Sequence, residues 1–345
     1  ISCKPASKKD KAGTAEIQIS FWHIMNYAGP REVIAAAVER FEADNPNCKV
    51  LMHTFENDAY KTKLSIEEAS GNLPDVFFTW GGGPLVEKAR AGGAIDLRSI
   101  QPVNDWEERF IGQALDLCRW NDGIYALPLD LSAVLLWCNS ELFDKYNLQF
   151  PETFPELMAV IKKFNQEKIT PIALGNSKQW PGAFFFSYLA NRQGGTQLFL
   201  DASEQKSSAS FADESFVLAG EYLKEMIDAR AFTHGFNGIE DGLARAAFLR
   251  EEAAMHLNGT WLIARVSEEN PKFLQKMKVL PFPVLPGGKG DASTVLGGIN
   301  CGFAVSSTCK HPEMAVKLLQ YLTDKQVVTE WCSIGRLPAI KTSPE

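Results

Sequence analysis

The chain has 345 residues, 45% hydrophobic and 22% charged, a length and balance that suit about two globular domains of roughly 100–200 residues each. Its formal net charge of -7 lacks the clustered Lys and Arg that phosphate binding needs, which excludes nucleic acid as the main partner. No apolar stretch approaches the ~20 residues that cross a bilayer, and the 11% of aromatic residues, with eight Trp, is the compositional feature that most suggests a ligand platform.

Taken in chain order, Ile1-Ser2-Cys3-Lys4 opens a polar run through Gly13 that reads as a tether over residues 1–15. A small residue directly before Cys, followed by such a tether, is similar to the end of a bacterial lipoprotein signal, so Cys3 is expected to carry lipid and hold a soluble domain at a membrane surface. Ile17, Ile19 and Phe21 alternate with the period of a strand. Pro30 opens a helix with Val33, Ile34, Ala37, Val38 and Phe41 on one face, closed by Asn45-Pro46. A second strand spans 48–55, and Asn57 or Asp58 is expected to cap the next helix. Asp75 to Thr79 is a short apolar run of the kind found in buried parallel strands, followed by Gly81-Gly82-Gly83 and another helix. This alternation predicts a parallel, doubly wound sheet whose ligands bind beyond the carboxyl ends of the strands. The residues to watch are then Trp22 and His23, Phe55 to Asn57, and Thr79 to Gly81.

Asn121-Asp122-Gly123 predicts a turn between two strand-like runs, the second at 124–128, followed by an apolar run at 133–138, with a crossover between lobes at Asp130. Thr153 with Glu156 predicts a capping box. A strand at 171–174, a loop from Asn176 to Pro181 and helices near 183–194, 213–229 and 239–250 follow. A short strand at 253–257 runs into a turn at Asn258-Gly259. Strands at 277–282 and 295–305 and helices near 311–323 and 324–334 complete the chain.

Several chemistries have no signature here. The P-loop, H-E-x-x-H and G-x-S-x-G patterns are missing, and five scattered His do not suggest a metal site, so no metal and no cofactor are expected. Apart from Cys3, the six cysteines Cys48, Cys118, Cys138, Cys301, Cys309 and Cys332 match no zinc spacing; buried thiols are the default, with one or two disulfides open in an oxidising compartment. A glycosidase pair would have to come from Asp130 with Glu240 or Asp241, and nothing in the spacing singles these out.

From about Ile17 to Ala339 the chain resembles the family 1 extracellular solute-binding proteins, the maltose- and oligosaccharide-binding subunits of ABC importers. The resemblance is carried by Ile19-Ser20-Phe21-Trp22-His23; by Ser70-Gly71-Asn72-Leu73-Pro74-Asp75 with Ala91-Gly92-Gly93-Ala94-Ile95-Asp96-Leu97; by Gly123 to Pro128 with Trp137-Cys138-Asn139; by Ala253-Ala254-Met255 with Asn258-Gly259-Thr260-Trp261; and by Gly297-Gly298 with Gly335-Arg336-Leu337-Pro338-Ala339. It implies a periplasmic-binding-protein-like fold of type II: two doubly wound α/β lobes joined by a crossing hinge. The first lobe would comprise 16–129 and 298–345 and the second 130–297. Family members usually continue for a further helical segment after the Gly335 to Ala339 motif, so the expectation is either a sequence cut short at Glu345 or a second lobe smaller than usual.

The same resemblance implies a non-enzymatic function. A neutral mono- or oligosaccharide would be bound on hinge closure and delivered to ABC permease transmembrane subunits by a periplasmic or cell-surface monomer. A carbohydrate-active enzyme and a sugar sensor feeding a receptor are the alternatives. The ligand contacts it implies are Trp22, His23, Asn26, Asn57, Tyr60, Thr79, Trp80, Gly81 and Asp130 on one side. On the other they are Gln179, Trp180, Asn237, Asn258, Trp261, Gly298, Asn300 and Arg336. Sugars present an apolar C–H face to an aromatic ring and hydroxyls to amides and carboxylates. Trp22, Trp80, Trp180 and Trp261 are therefore the candidate platforms, whereas Trp106, Trp120, Trp137 and Trp331 fall in regular runs and are expected to be structural.

Overall fold

The computed structural model describes residues 16–100, 106–206 and 209–341. Cys3 and the tether lie outside the described residues. The chain forms two units. Of the described residues, one comprises those from 16 to 26, from 30 to 129 and from 302 to 328; the other comprises those from 27 to 29, from 130 to 301 and from 329 to 341. The return crossing therefore falls at Cys301/Gly302 rather than at 298. Residues 329–341 belong to the second unit, not the first, where Leu337 and Pro338 pair with the strand that carries Asp130.

In the first unit the alternating apolar residues form β1 (Ile17–His23), followed by α1 (Ala28–Asp44), β2 (Cys48–Thr54), α2 (Asn57–Ser70), β3 (Val76–Thr79) and α3 (Gly83–Arg90). Short helices α4 (Trp106–Arg109) and α5 (Gly112–Asp116) and a small ribbon, β4 (Arg119–Trp120) with β5 (Gly123–Ile124), come next. β1 runs parallel to β2, from Ile17 opposite Cys48 to His23 opposite Thr54, and parallel to β3. All four residues of β3 are buried, as its unbroken apolar sequence requires. Its start is pinned to β1 by Asp75, whose carboxylate accepts from the Ser20 backbone N–H at 2.8 Å and hydroxyl at 2.7 Å. Because the strands are parallel, Trp22-His23, Thr54-Phe55 and Thr79-Trp80 all emerge at one end of the sheet.

β6 (Leu127–Asn139) is one strand where two runs were predicted, since Asp130 to Ser132 stay extended within it. In the second unit come α6 (Ser140–Lys145), α7 (Phe154–Gln166), β7 (Thr170–Ala173), α8 (Trp180–Gly194), α9 (Thr196–Ser203), α10 (Glu214–Asp228), α11 (Asp241–Leu249), β8 (Ala253–Gly259), α12 (Leu262–Glu269) and β9 (Met277–Leu280). β10 (Gly297–Val305) then returns to the first unit, where its Gly302–Val305 part runs antiparallel to β3. Helices α13 (Pro312–Leu322) and α14 (Lys325–Ser333) and strand β11 (Leu337–Pro338) follow. The predicted capping box forms: Glu156 Oε2 accepts from the Thr153 N–H at 2.9 Å while Thr153 Oγ1 accepts from the Glu156 N–H at 3.4 Å.

In this unit β6 pairs antiparallel with β8 and β9, and β7 pairs parallel with β8, so the sheet is mixed. Gly297 lets β10 approach β6, since a Cβ there would lie 2.2 Å from the Ser132 carbonyl oxygen. The apolar faces of α7, α8 and α10 cover one core, with Leu157, Ile161, Phe164, Phe185, Leu189, Phe216 and Met226 buried. The buried guanidinium of Arg192 donates to the carbonyls of Phe282, Asp291, Ala292 and Thr294, which holds the loop leading to β10. The six described cysteines are free thiols.

Candidate functional site

At the carboxyl end of the first unit's strands, the expected residues separate by exposure. Trp22 is half-buried and packs against Phe55, with ring centroids 4.9 Å apart. Trp80 is also half-buried, set edge-on against Phe78 at 4.8 Å. One face of each indole carries an ammonium from α2: Lys63 Nζ lies 5.0 Å from the Trp22 ring and Lys61 Nζ 5.0 Å from the Trp80 ring. A ligand stacking there must use the other face or displace a lysine.

Asn26, Asn57 and Gly81 are half-buried at the same strand ends. Asn57 does not cap α2: Glu56 occupies the cap position, and the Asn57 amide donates to Asp58 at 3.1 Å.

Three expected contacts of this unit turn inward. Tyr60 is 0% exposed and its hydroxyl donates to the Phe78 carbonyl. Thr79 is buried and donates to the Trp80 carbonyl at 3.0 Å. His23 is buried, its Nδ1 accepting from the Met25 N–H at 3.2 Å, and burial lowers its pKa to about 4, so the ring is neutral near neutral pH.

The second unit brings together Trp180, Phe184 and Trp261. Trp180 and Phe184 lie four residues apart on α8 and so share a face; Trp261 follows β8 at the start of α12. Ring centroids are 5.6 Å apart for Trp180–Phe184 and 6.4 Å for both Trp180–Trp261 and Phe184–Trp261. All three side chains are half-buried. Gly259 makes room for the Trp261 indole, because a Cβ there would lie 1.9 Å from Cζ3.

Exposed Gln179 precedes Trp180 with φ +65°, and exposed Asn237 accepts at 2.8 Å from the Asn176 amide. Asn176 in turn accepts at 2.9 Å from the Gly182 N–H, which ties this amide pair to the first turn of α8.

Among the other polar candidates of this unit, Asn258, Asp130 and Arg336 are bonded within the fold. Asn258 is 1% exposed within β8 rather than in a turn. Its amide donates to Asp241 at 3.2 Å and to His256 Nε2 at 2.7 Å, while its side-chain oxygen accepts from the Gly259 N–H at 2.8 Å. The His256 ring donates from Nδ1 to the Ala173 carbonyl at 2.9 Å, which leaves Nε2 as the acceptor.

Asp130 and Arg336, 1% and 5% exposed, form a buried ion pair with Nη2 to Oδ2 at 2.6 Å. The same oxygen accepts from Arg336 Nε at 2.8 Å, Trp331 Nε1 at 3.0 Å and, more weakly, the Asn300 amide at 3.5 Å. Arg336 also donates to the Tyr27 hydroxyl at 3.0 Å. Burial pushes the Asp130 carboxyl up, opposed by Arg336 and by the Trp331 and Asn300 donors. Gly298 is half-buried in β10, two residues before Asn300.

The model of the bacterial extracellular solute-binding protein family matches residues 27–329. The chain belongs to this family. Among curated relatives, the solute-binding protein is 23% identical to the multiple sugar-binding protein of Streptococcus mutans, over 87% of this chain and 70% of that one. Among solved structures, it superimposes with TM-score 0.88 and 34% identity on one from work on xylan utilization by the thermophilic bacterium Caldanaerobius polysaccharolyticus, covering 94% of this chain and 82% of that one. A chitin oligosaccharide binding protein shares the fold at TM-score 0.87 and 22% identity, covering 96% and 83% of the two chains.

Members of the family are extracellular solute-binding proteins, not enzymes, which sets the glycosidase alternative aside. The geometry agrees, since an Asp130 already paired with Arg336 is not a carboxyl poised for proton transfer. Sequence reasoning about this solute-binding protein missed Phe184, although its i+4 spacing from Trp180 was a usable signal. It also missed Asn176, Tyr27 and the pairing of Trp331 with Asp130, for which no local signal exists.

Proposed function

We propose that this solute-binding protein holds a neutral mono- or oligosaccharide and delivers it to the permease subunits of an ABC importer. It does so as a monomer tethered to a bacterial membrane through lipidated Cys3. The observation that carries the ligand class is the half-exposed aromatic group Trp180, Phe184 and Trp261 with the amides of Gln179 and Asn237 beside it. Flat apolar rings next to neutral amides suit a ligand that has C–H faces and hydroxyls and no net charge. The sugar-binding name of the Streptococcus mutans relative and the xylan context of the Caldanaerobius structure support the same class.

Trp22, Asn26, Asn57, Trp80 and Gly81 are the contacts proposed from the first unit. From the second they are Gln179, Trp180, Asn237 and Trp261, with Gly298 and Asn300 on β10. His23, Tyr60, Thr79, Asp130, Asn258 and Arg336 are buried and bonded within the fold, and serve the structure in this reading.

A panel of neutral mono- and oligosaccharides screened by thermal shift tests the reading. A cognate sugar at about 100 times its dissociation constant is expected to stabilise the protein by about 2.7 kcal/mol. A flat response across the panel, with no heat of binding by calorimetry, would show that the ligand is not a neutral sugar.

A further inference from the structure

No two rings of the second unit's aromatic group are parallel. The plane of Trp261 is inclined by 62° to that of Trp180 and by 47° to that of Phe184, and Trp180 and Phe184 are inclined by 72°. These inclinations follow from how the rings pack. The Trp261 indole lies against Gly259, and Trp180 and Phe184 share a turn of α8 whose Gly182 is bonded to Asn176.

A sugar ring stacks with its plane along the aromatic face. Two neighbouring rings of one saccharide chain can therefore lie on Trp180 and Trp261 together only if their own planes are inclined. In cello- and chito-oligosaccharides alternate rings flip over and the chain is a flat ribbon, so neighbouring planes run parallel. Xylo-oligosaccharides lack the hydroxymethyl group that helps hold the ribbon flat, and their backbone twists from one ring to the next.

Resting on the sugar-binding reading above, we propose that the inclined pair Trp180 and Trp261, with Phe184 beside them, selects twisted linear oligosaccharides of the xylan type over flat ones and over monosaccharides. The selectivity comes from how many rings can stack at once, not from a hydroxyl contact.

Isothermal calorimetry with xylotriose, cellotriose, triacetylchitotriose and xylose tests this on the whole chain. Xylotriose is expected to bind at least about tenfold more tightly than each of the other three, the scale of one lost stacking contact. Trp180→Ala and Trp261→Ala are each expected to lower xylotriose affinity by about tenfold and to bring it toward that of xylose. Trp180→Phe, which keeps a ring in place should the alanine variant unfold, is expected to retain the preference for xylotriose. Cellotriose or triacetylchitotriose binding as tightly as xylotriose overturns the proposal, as does xylose matching the trisaccharide. Binding confined to branched or α-linked sugars overturns it while leaving the sugar-binding reading intact. Silence toward every saccharide overturns both.

Discussion

His23 shows how one residue's surroundings set its chemistry. It ends β1, where sequence makes it a plausible ligand contact, yet it is buried beside Phe21, with ring centroids 5.0 Å apart, and its pKa falls from 6.5 to about 4. Between those values the unfolded chain binds a proton that the native protein does not, so stability declines as pH falls through this window and His23 adds no further loss below about pH 4. Urea unfolding of wild type and His23→Asn at a series of pH values checks this. The gap between the two stability curves is expected to change across the window by up to about 1.4 kcal/mol per pH unit; parallel curves would rule His23 out as a contributor. Buried His256, also lowered by burial, acts in the same direction and is common to both proteins.

At the level of elements, the second unit's aromatic group depends on where β8 ends and α8 begins. Asn258-Gly259 looks like a turn in sequence but continues β8, because Asn258 is paired across to Leu135 and its carbonyl accepts from Trp137 Nε1 at 2.8 Å. Trp261 thereby folds back over a residue without a side chain. Gly259→Ala would place a Cβ 1.9 Å from the indole and force Trp261 to move. The expected outcome is a loss of saccharide affinity of about tenfold or more with a smaller fractional change in stability, measured by calorimetry and urea unfolding on the same preparation. Unchanged affinity would mean that Trp261 is not a platform. Phe184 belongs to this scale too: its position follows once α8 is known to start at Trp180, a boundary the sequence reading set a few residues late.

For the whole molecule, the Asp130–Arg336 pair matters most. Its members and their partners Tyr27, Asn300 and Trp331 all lie in the second unit, and each is within about ten residues of a point where the chain passes from one unit to the other: Asn26/Tyr27, Leu129/Asp130, Cys301/Gly302 and Val328/Thr329. The buried ion pair and its partners thus join all three chain segments of the second unit. Arg336→Ala would leave the Asp130 carboxylate buried without its cation, and the expected cost is about 3–5 kcal/mol. The double variant Asp130→Asn with Arg336→Met removes both charges and is expected to cost less than Arg336→Ala alone. Denaturant unfolding of the single and double variants decides the matter, and a single-variant loss under about 1 kcal/mol would show that the pair is dispensable.

Sequence alone determined the order β1, α1, β2, α2, β3, α3 of the first unit and the strand ends at which its candidate contacts lie. The alternation of β1, the apolar face of α1, the capping box of α7 and the buried run of β3 are written in neighbouring residues, so local periodicity suffices to read them. It also picked out Trp180 and Trp261, since a Trp beside Pro or Gly at an element boundary is visible locally. Only the tertiary structure decided which polar groups stay exposed and which are bonded within the fold. Asp130 and Arg336 are 206 positions apart and Asn258 and Asp241 17 apart, and nothing near either member of a pair announces its partner. The tilt between Trp180 and Trp261, on which the proposed selectivity rests, depends likewise on how β8 and α8 pack, because ring orientation is fixed by packing and not by the chain's own local pattern.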